Sequence, residues 1–325
     1  MAVVEAGQAP VVAAPPTKPS RTALQNKQTM LAWILLAPSI ALVIFIAAYP
    51  LGRTVYNSFT DAAFNYSTHF IGWTNYFNLL RDVEFRETVF ETFKFAFITV
   101  PCEFVLGMGI ALVVNSRFPG RGMMRAAMLV PWAVITVVNA EMWNLMYNDT
   151  YGVFNDILER LHWPGAPFAF TSDATLGLGA VSVIDIWKTT PFVALLLLAG
   201  LQVIPGDVYE AARVDGASAW NQFWRITLPL LRPAILVTLI FRTMDALRVF
   251  DLFYVLFGSA PCIPGNCLKS MAVYAQENVV VDASTRIAAT HYGGIGYGSA
   301  ISVGIFIILA VVVAIYVKVL PLERS

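Results

Sequence analysis

The sequence predicts an all-α integral membrane protein with six transmembrane helices and both termini on the cytoplasmic side. Three observations predict it. Hydrophobic residues make up 58% of the 325-residue chain and charged residues only 13%, and the mean hydropathy is +0.66, which is membrane composition rather than that of a soluble core. Six segments, near 30–50, 93–114, 124–147, 176–200, 231–257 and 297–320, are apolar over the about 20 residues that a bilayer-crossing helix needs. Lys and Arg gather in the connections that an inside N-terminus places in the cytoplasm. The net charge is zero, so nothing points to a nucleic-acid partner.

Met1 to Ser20 is rich in Ala, Pro and Val without helical or strand period. Residues 1–28 are expected to be a disordered cytoplasmic tail, and 29–325 the membrane domain. Prolines interrupt the tail and no compact apolar run precedes residue 30. A cleavable signal peptide is therefore not expected, and the first span serves as an uncleaved anchor. Pro38, Pro101, Pro131 and Pro191 fall inside spans, where each can kink its helix or simply pack. With the N-terminus inside, cytoplasmic parts hold Lys18, Arg21, Lys27, Arg117, Arg121, Arg125, Arg213, Arg225, Arg232, Lys318 and Arg324. Outside parts hold the smaller set Arg53, Arg81, Arg86, Arg160, Lys269 and Arg286. The connection from Asn115 to Arg125, basic and free of acids, is the clearest case.

The outside connections are long: Tyr56 to Glu91, Asn148 to Asp173, and Gly258 to Gly296. The first carries the aromatic-polar run Phe70-Ile71-Gly72-Trp73-Thr74-Asn75-Tyr76. Its rings suit either an interfacial belt or stacking on sugar. Cys102 sits inside a span as a packing residue. Cys262 and Cys267 flank a Pro264-Gly265 turn signal in an outside, oxidising compartment. A disulfide is expected between them, a free pair being the alternative.

Charges within spans are costly and mark function by default. Glu103 and Glu141 lie in the second and third spans. Asp185 and Lys188 share a face of the fourth and can pair. Arg242, Asp245, Arg248 and Asp251 form an alternating-sign ladder along the fifth, a stripe that cannot face lipid. Neutralising pairing is the reading favoured for Asp185 and Lys188, while the ladder suits a translocation path or a subunit interface. No catalytic constellation appears. No glycine-rich phosphate loop precedes Lys188-Thr189 or Lys269-Ser270, and His69, His162 and His291 stand apart without metal-site spacing. The chain is not expected to be an enzyme by itself, nor to bind metal.

The polar connection 205–228 is the most patterned stretch. Pro205-Gly206 breaks the fourth span. Asp207 is expected to cap a short helix, with Glu210 in the capping-box position and Gly216 leaving it left-handed. Val208, Ala211 and Ala212 form a small close-approach surface, and a second short helix is expected from Trp220 to Thr227. On physics alone this is an interfacial anchor or a docking segment.

This stretch resembles the EAA motif of binding-protein-dependent ABC importer permeases, EAAxxDGAxxxxxFxxIxLPxLxP, with every fixed position matched: Glu210, Ala211, Ala212, Asp215, Gly216, Ala217, Phe223, Ile226, Leu228, Pro229, Leu230 and Pro233. Gly72 to Tyr76 resembles a stretch found after the first span in the sugar-importing branch, the permeases for maltose, glycerol phosphate and trehalose. Trp187-Lys188-Thr189-Thr190-Pro191-Phe192 and Asp215 to Trp220 are most similar to mycobacterial trehalose permeases. The resemblance implies the type I importer permease fold. It makes Asp207, Glu210, Ala211, Ala212, Asp215, Gly216 and Ala217 a coupling segment. It implies as partners a second permease, two cytoplasmic ATPase subunits that hold ATP and Mg, and an extracytoplasmic sugar-binding lipoprotein. The path or subunit interface would then draw on Glu141, Asp185, Lys188, Arg242, Asp245, Arg248 and Asp251. The alternatives are a stand-alone secondary transporter or channel, and a maltose-type oligosaccharide or glycerol phosphate as cargo.

Overall fold

A computed structural model describes residues 23–63, 68–116, 118–258, 267–280 and 294–319. The regular secondary structure of the described residues is helical, apart from an isolated antiparallel bridge between Thr60 and Phe70. Two units are described separately, Met1–Arg53 and Thr54–Ser325. In the first, α1 (Ala23–Val43) carries Pro38 and runs through a π-helical turn, Ile44–Ala48, into α2 (Tyr49–Asn57). The helix therefore begins within the stretch expected to be a tail. Ala23, Leu24, Gln25 and Lys27 are good helix formers, and no breaker follows Thr22 before the span.

The second unit contains α3 (Thr74–Arg81), α4 (Val83–Asn115), α5 (Arg121–Met128), α6 (Val130–Ala133), α7 (Thr136–Met146), α8 (Val153–Arg160) and α9 (Ala174–Val203). It continues with α10 (Gly206–Val214), α11 (Ala219–Gln222), a π-helical turn Phe223–Thr227, α12 (Leu228–Leu230), α13 (Arg232–Leu247), α14 (Asp251–Phe257), α15 (Met271–Val280) and α16 (Ile295–Val319). Among the described residues, four helices are long and apolar enough to cross a membrane: Gln28–Asn57, Val83–Asn115, Leu176–Val203 and Ile295–Val319. The count reaches 6 if each of two bent pairs is one span.

The first break falls in the third span, where Pro131 was expected to kink or simply pack, and the second falls at the start of the expected fifth span. Arg121–Ala133 and Thr136–Met146 meet at 83°, and Ala219–Leu230 meets Arg232–Phe257 at 68°. Pro131 removes a helix donor just before the first break, and Val134 turns extended at φ −69°, ψ 132°. Pro229 and Pro233 bracket the second at Leu231. Pro38, Pro101 and Pro191 stay inside continuous helices.

Two buried apolar clusters divide the second unit. One gathers Phe95, Val100, Trp143, Val181, Ile184, Leu252, Phe253, Met271 and Ile301. The other gathers Met108, Ala111, Val114, Val193, Leu197, Leu201, Leu231 and Ile235. α4, α9 and α13 contribute to both, and between the two clusters each carries buried charge: Glu103, Asp185 and Arg242. The connection after α14 was read as loop, yet α15 within it packs on α16 and α4. Lys269 Nζ ties this end together through Glu84 Oε1 at 2.9 Å and Glu277 Oε2 at 2.7 Å. The Tyr274 and Tyr297 hydroxyls donate to Asp82, the N-cap of α4. In the same region Asn75 donates to the carbonyls of Ser58 (2.9 Å) and Thr60 (2.8 Å). This fixes the aromatic run, whose Trp73 stands edge-on to Phe59 at 5.0 Å.

α4 lies close against α9 at Gly107, where a Cβ would stand 2.6 Å from Val193 Cγ1 and 3.1 Å from the Ala194 nitrogen. Overpacking at such a site costs about 1–3 kcal/mol. Gly107→Val is expected to lower the thermal midpoint of the purified protein. Adding Val193→Ala should recover part of that loss, as melts of the single and double variants would show.

Candidate functional site

The buried layer is built around one guanidinium. Arg242, on α13, is 2% exposed. Its Nη2 lies 2.8 Å from Glu103 Oε1 and 2.6 Å from Asp185 Oδ2, its Nη1 lies 2.7 Å from Asp245 Oδ2, and its Nε donates to Glu103 Oε2. One cation thus binds carboxylates from α4, α9 and α13. The planar fork of Arg suits this multidentate contact. Thr189 Oγ1 lies 2.5 Å from Glu103 Oε1 and 2.6 Å from the carbonyl of Asp185, one turn earlier on α9.

This arrangement corrects the expected Asp185–Lys188 pair. Asp185 turns to Arg242 instead, and Lys188 Nζ donates to the carbonyls of Val134 (2.9 Å) and Trp132 (3.3 Å). Those carbonyls lie at the break between α6 and α7, where an interrupted helix leaves acceptors without intrahelical partners. The ladder is also corrected. α13 ends at Leu247, Arg248 and Phe250 have non-helical backbone, and Asp251 opens α14. Arg242 and Asp245 therefore share a helix, while Arg248 sits on the bend, with its Nε 3.3 Å from the Met244 carbonyl. Glu141 on α7 is exposed and does not join this group.

Around these charges lies a polar cleft of about 330 Å³. Asp185, Lys188, Thr189, Arg242, Asp245, Arg248 and Asp251 line it, with Trp132 and Thr136 from the broken third span. Asp245, whose side chain is 66% exposed, stands open to solvent, whereas Glu103 is wholly buried behind Arg242. Acids and bases balance along the wall. The cleft thus offers donors and acceptors to a neutral polar molecule without a strong field of either sign.

The α10 connection is ordered by local chemistry. Its N-cap is Pro205, with φ −61° and no side-chain hydrogen bond, so Asp207 lies inside the first turn instead of capping it. There its carboxylate still meets the positive end of the helix dipole. The C-terminus is a Schellman turn: Ala217 N donates to the Ala212 carbonyl at 2.9 Å, Gly216 N to that of Arg213 at 3.1 Å, and Gly216 holds φ +78°. Ser218 then caps α11, its Oγ accepting from Asn221 N at 3.3 Å. Ala212 is buried, whereas Val208, Glu210, Ala211 and Val214 face outward. Gln222 Nε2 donates to the Ala217 carbonyl at 2.8 Å, and the Tyr209 hydroxyl lies 3.1 Å from Thr227 Oγ1. The first bond closes the loop between α10 and α11, and the second ties α10 to the π-helical turn that leads toward α13.

Sequence reading left Glu103 without a partner and missed Thr189 and the Tyr209–Thr227 contact. The spacing of Thr189 four residues after Asp185 was the available signal. His69, read as isolated, meets Asp61: its backbone N donates to Oδ1 at 2.5 Å, and Nδ1 lies 3.3 Å from Oδ2. That backbone bond, the largest cause, holds the Asp61 carboxyl below its usual range. Cys102 is free and Cys267 is disulfide-bonded; Cys262 and His291 lie outside the described residues.

Comparison with known proteins places the chain. The sequence profile of the binding-protein-dependent transport system inner membrane component matches residues 86–321. The chain is 40% identical over 310 residues to the trehalose/maltose transport system permease protein MalF of Thermococcus litoralis, covering 93% of this chain and 97% of that one. It is 38% identical to the sulfoquinovosyl glycerol transport system permease protein SmoG of Agrobacterium fabrum (90% of each). It is 36% identical to the trehalose transport system permease protein SugA of Mycobacterium tuberculosis (92% and 91%). The fold matches a bacterial ABC transporter involved in alginate import with a TM-score of 0.73 at 21% identity, over 92% of this chain and 98% of that one. The chain belongs to this inner-membrane permease family and is a multi-pass membrane protein.

Breaking a buried ion pair from one side costs about 3–5 kcal/mol, whereas apolar replacement of a whole cluster is often tolerated. Arg242→Met alone is expected to abolish or strongly reduce the yield of folded protein. Adding Glu103→Gln and Asp185→Asn should restore yield and thermal midpoint toward wild type, read by size-exclusion profile and melt.

Proposed function

We propose, taking that membership as premise, that the chain is a permease subunit of an ABC sugar importer and that its cargo is a neutral disaccharide such as trehalose. The observation that carries the reading is the charge-balanced polar cleft between two apolar clusters, walled by the break in the third span and by the bend between α13 and α14. A neutral sugar needs many hydrogen-bonding groups and no net field, and Lys188, Thr189, Asp245, Arg248 and Asp251 supply such groups. The same balance disfavours an anionic cargo such as a sulfonated sugar. The named relatives support the substrate class, since two of the three carry trehalose in their names.

In this reading a second permease completes the path, two ATPase subunits holding ATP and Mg supply the energy, and an external binding protein delivers the sugar. The exposed face of α10 meets the ATPase: Glu210 and Val208 contact it, while Gly216 sets the turn. Closure of the ATPase pair moves α10, and the Tyr209–Thr227 contact, with the Gln222 bond holding the loop, carries that movement to the π-helical turn ahead of α12 and α13. α13 in turn holds Arg242 and Asp245 against the cleft. A loop fixed by a Schellman turn and two side-chain bonds can transmit a rigid-body shift.

Two variants test the two halves. Gly216→Val forces a β-branched residue to φ +78°, in open space but at a backbone cost of about 1–3 kcal/mol. It should leave sugar binding by the binding protein intact and lower its stimulation of ATP hydrolysis at least tenfold; undiminished stimulation would refute the coupling role. Asp245→Ala should leave complex yield within about twofold and lower sugar uptake by tenfold or more. An equal loss of both would make Asp245 a packing residue.

A further inference from the structure

We propose that α3 and α8 are membrane-surface helices that lay apolar stripes into the lipid at the bundle end opposite α10. Each is an eight-residue helix beside a span end: α3 is joined to α4 through Asp82, and α8 follows α7. At 3.6 residues per turn, each divides its circumference into the same three sectors.

On α3, Asn75 and Leu79 form the sector buried against protein. The next sector, extended by Trp73 at the N-cap, is apolar and uncovered: Trp73 is 63%, Phe77 62% and Leu80 74% exposed. Thr74, Asn78 and Arg81 make the third, polar sector. On α8, Phe154 and Asn155 face the protein. Phe154 packs its ring 5.7 Å from that of Trp143 and 5.1 Å from that of Tyr147, and Asn155 bonds Phe168 at 2.9 and 3.0 Å. Val153, Ile157 and, just past the helix end, Leu161 form the uncovered apolar sector at 53%, 47% and 67% exposure. Asp156, Glu159 and Arg160 are the polar sector, with Arg160 paired to Asp156 at 3.0 Å.

A helix lying on water needs two sectors, and a buried one needs one. Three sectors fit a helix that touches protein, lipid and water at once. Depth supports the choice of lipid over a soluble partner. Leu79 of α3 packs at Gly304, its Cδ2 3.3 Å from where a Cβ would stand. Gly304 lies nine residues into the spanning helix α16, about 13 Å along its axis at the helical rise. α3 therefore sits beside a span rather than above it. Trp73 and, past α8, the 58% exposed Trp163 supply the aromatic groups that favour the interface.

The test uses the complete transporter with its co-purifying subunits, in liposomes and in a Cys102→Ser background. Spin labels are placed at Phe77→Cys, Ile157→Cys and, as the water-facing control, Glu159→Cys. Collision with oxygen and with a nickel chelate is then measured by power saturation. The labels at positions 77 and 157 should be relaxed mainly by oxygen, and the label at 159 mainly by nickel. Nickel access at 77 and 157 equal to that at 159 would place the stripes in water. Shielding from both reagents would place them under a protein subunit. Either result would overturn the proposal.

Discussion

The structure depends on one buried guanidinium. Arg242 is held by carboxylates from α4, α9 and its own helix, in a layer with apolar clusters on either side. Desolvating such a group costs several kcal/mol, which only multidentate, charge-assisted bonds offset. The layer therefore forms only when α4, α9 and α13 are correctly placed. Nonspecific apolar packing would tolerate sliding of these helices; the charge layer does not. Gly107 lets α4 and α9 approach closely enough for Glu103 and Asp185 to reach the same side chain.

The same layer makes room for function. Satisfying Arg242 leaves Asp245 partly exposed, and sending Lys188 to the carbonyls of Trp132 and Val134 stabilises a broken helix in the middle of the bundle. Broken helices are tolerated at membrane depth where they are buried in protein or line a polar cavity. Here the break in the third span and the bend between α13 and α14, with the charges between them, make one cleft. α13 starts just past the 68° break at Leu231, after α12 and the π-helical turn beside α10, and carries Arg242 and Asp245 to the cleft.

The fold class was legible because membrane spans declare themselves through length and apolarity. Four of six appear as continuous helices near their expected places. The breaks at Val134 and Leu231 were less legible. Proline also occurs at 38, 101 and 191 in helices that continue, and at the Val134 break the freed carbonyls are met by Lys188, more than fifty residues on in the sequence. Pairing failed for the same reason. Spacing along one helix joined Asp185 to Lys188, whereas the winning partner, Arg242, lies 57 residues away. Helices α3, α8 and α15 escaped notice because each is short and depends on packing against spans rather than on intrinsic propensity. The α10 loop was the more legible part: proline, glycine and serine act locally, so Gly216 and the turn it forms follow from neighbouring residues. The cap sits two positions before Asp207, at Pro205, whose extended backbone leads into a helix that begins at Gly206.

In the proposed function, sugar crosses through this chain's cleft, driven by ATP hydrolysed on partner subunits. Its most direct test is uptake of radiolabelled trehalose into proteoliposomes containing the complete purified complex, with loaded binding protein on one face and ATP on the α10 face. Accumulation should require both ATP and the binding protein and should persist when the proton gradient is collapsed. Accumulation without ATP that vanishes with the proton gradient would contradict it, and would instead make the chain a gradient-driven transporter.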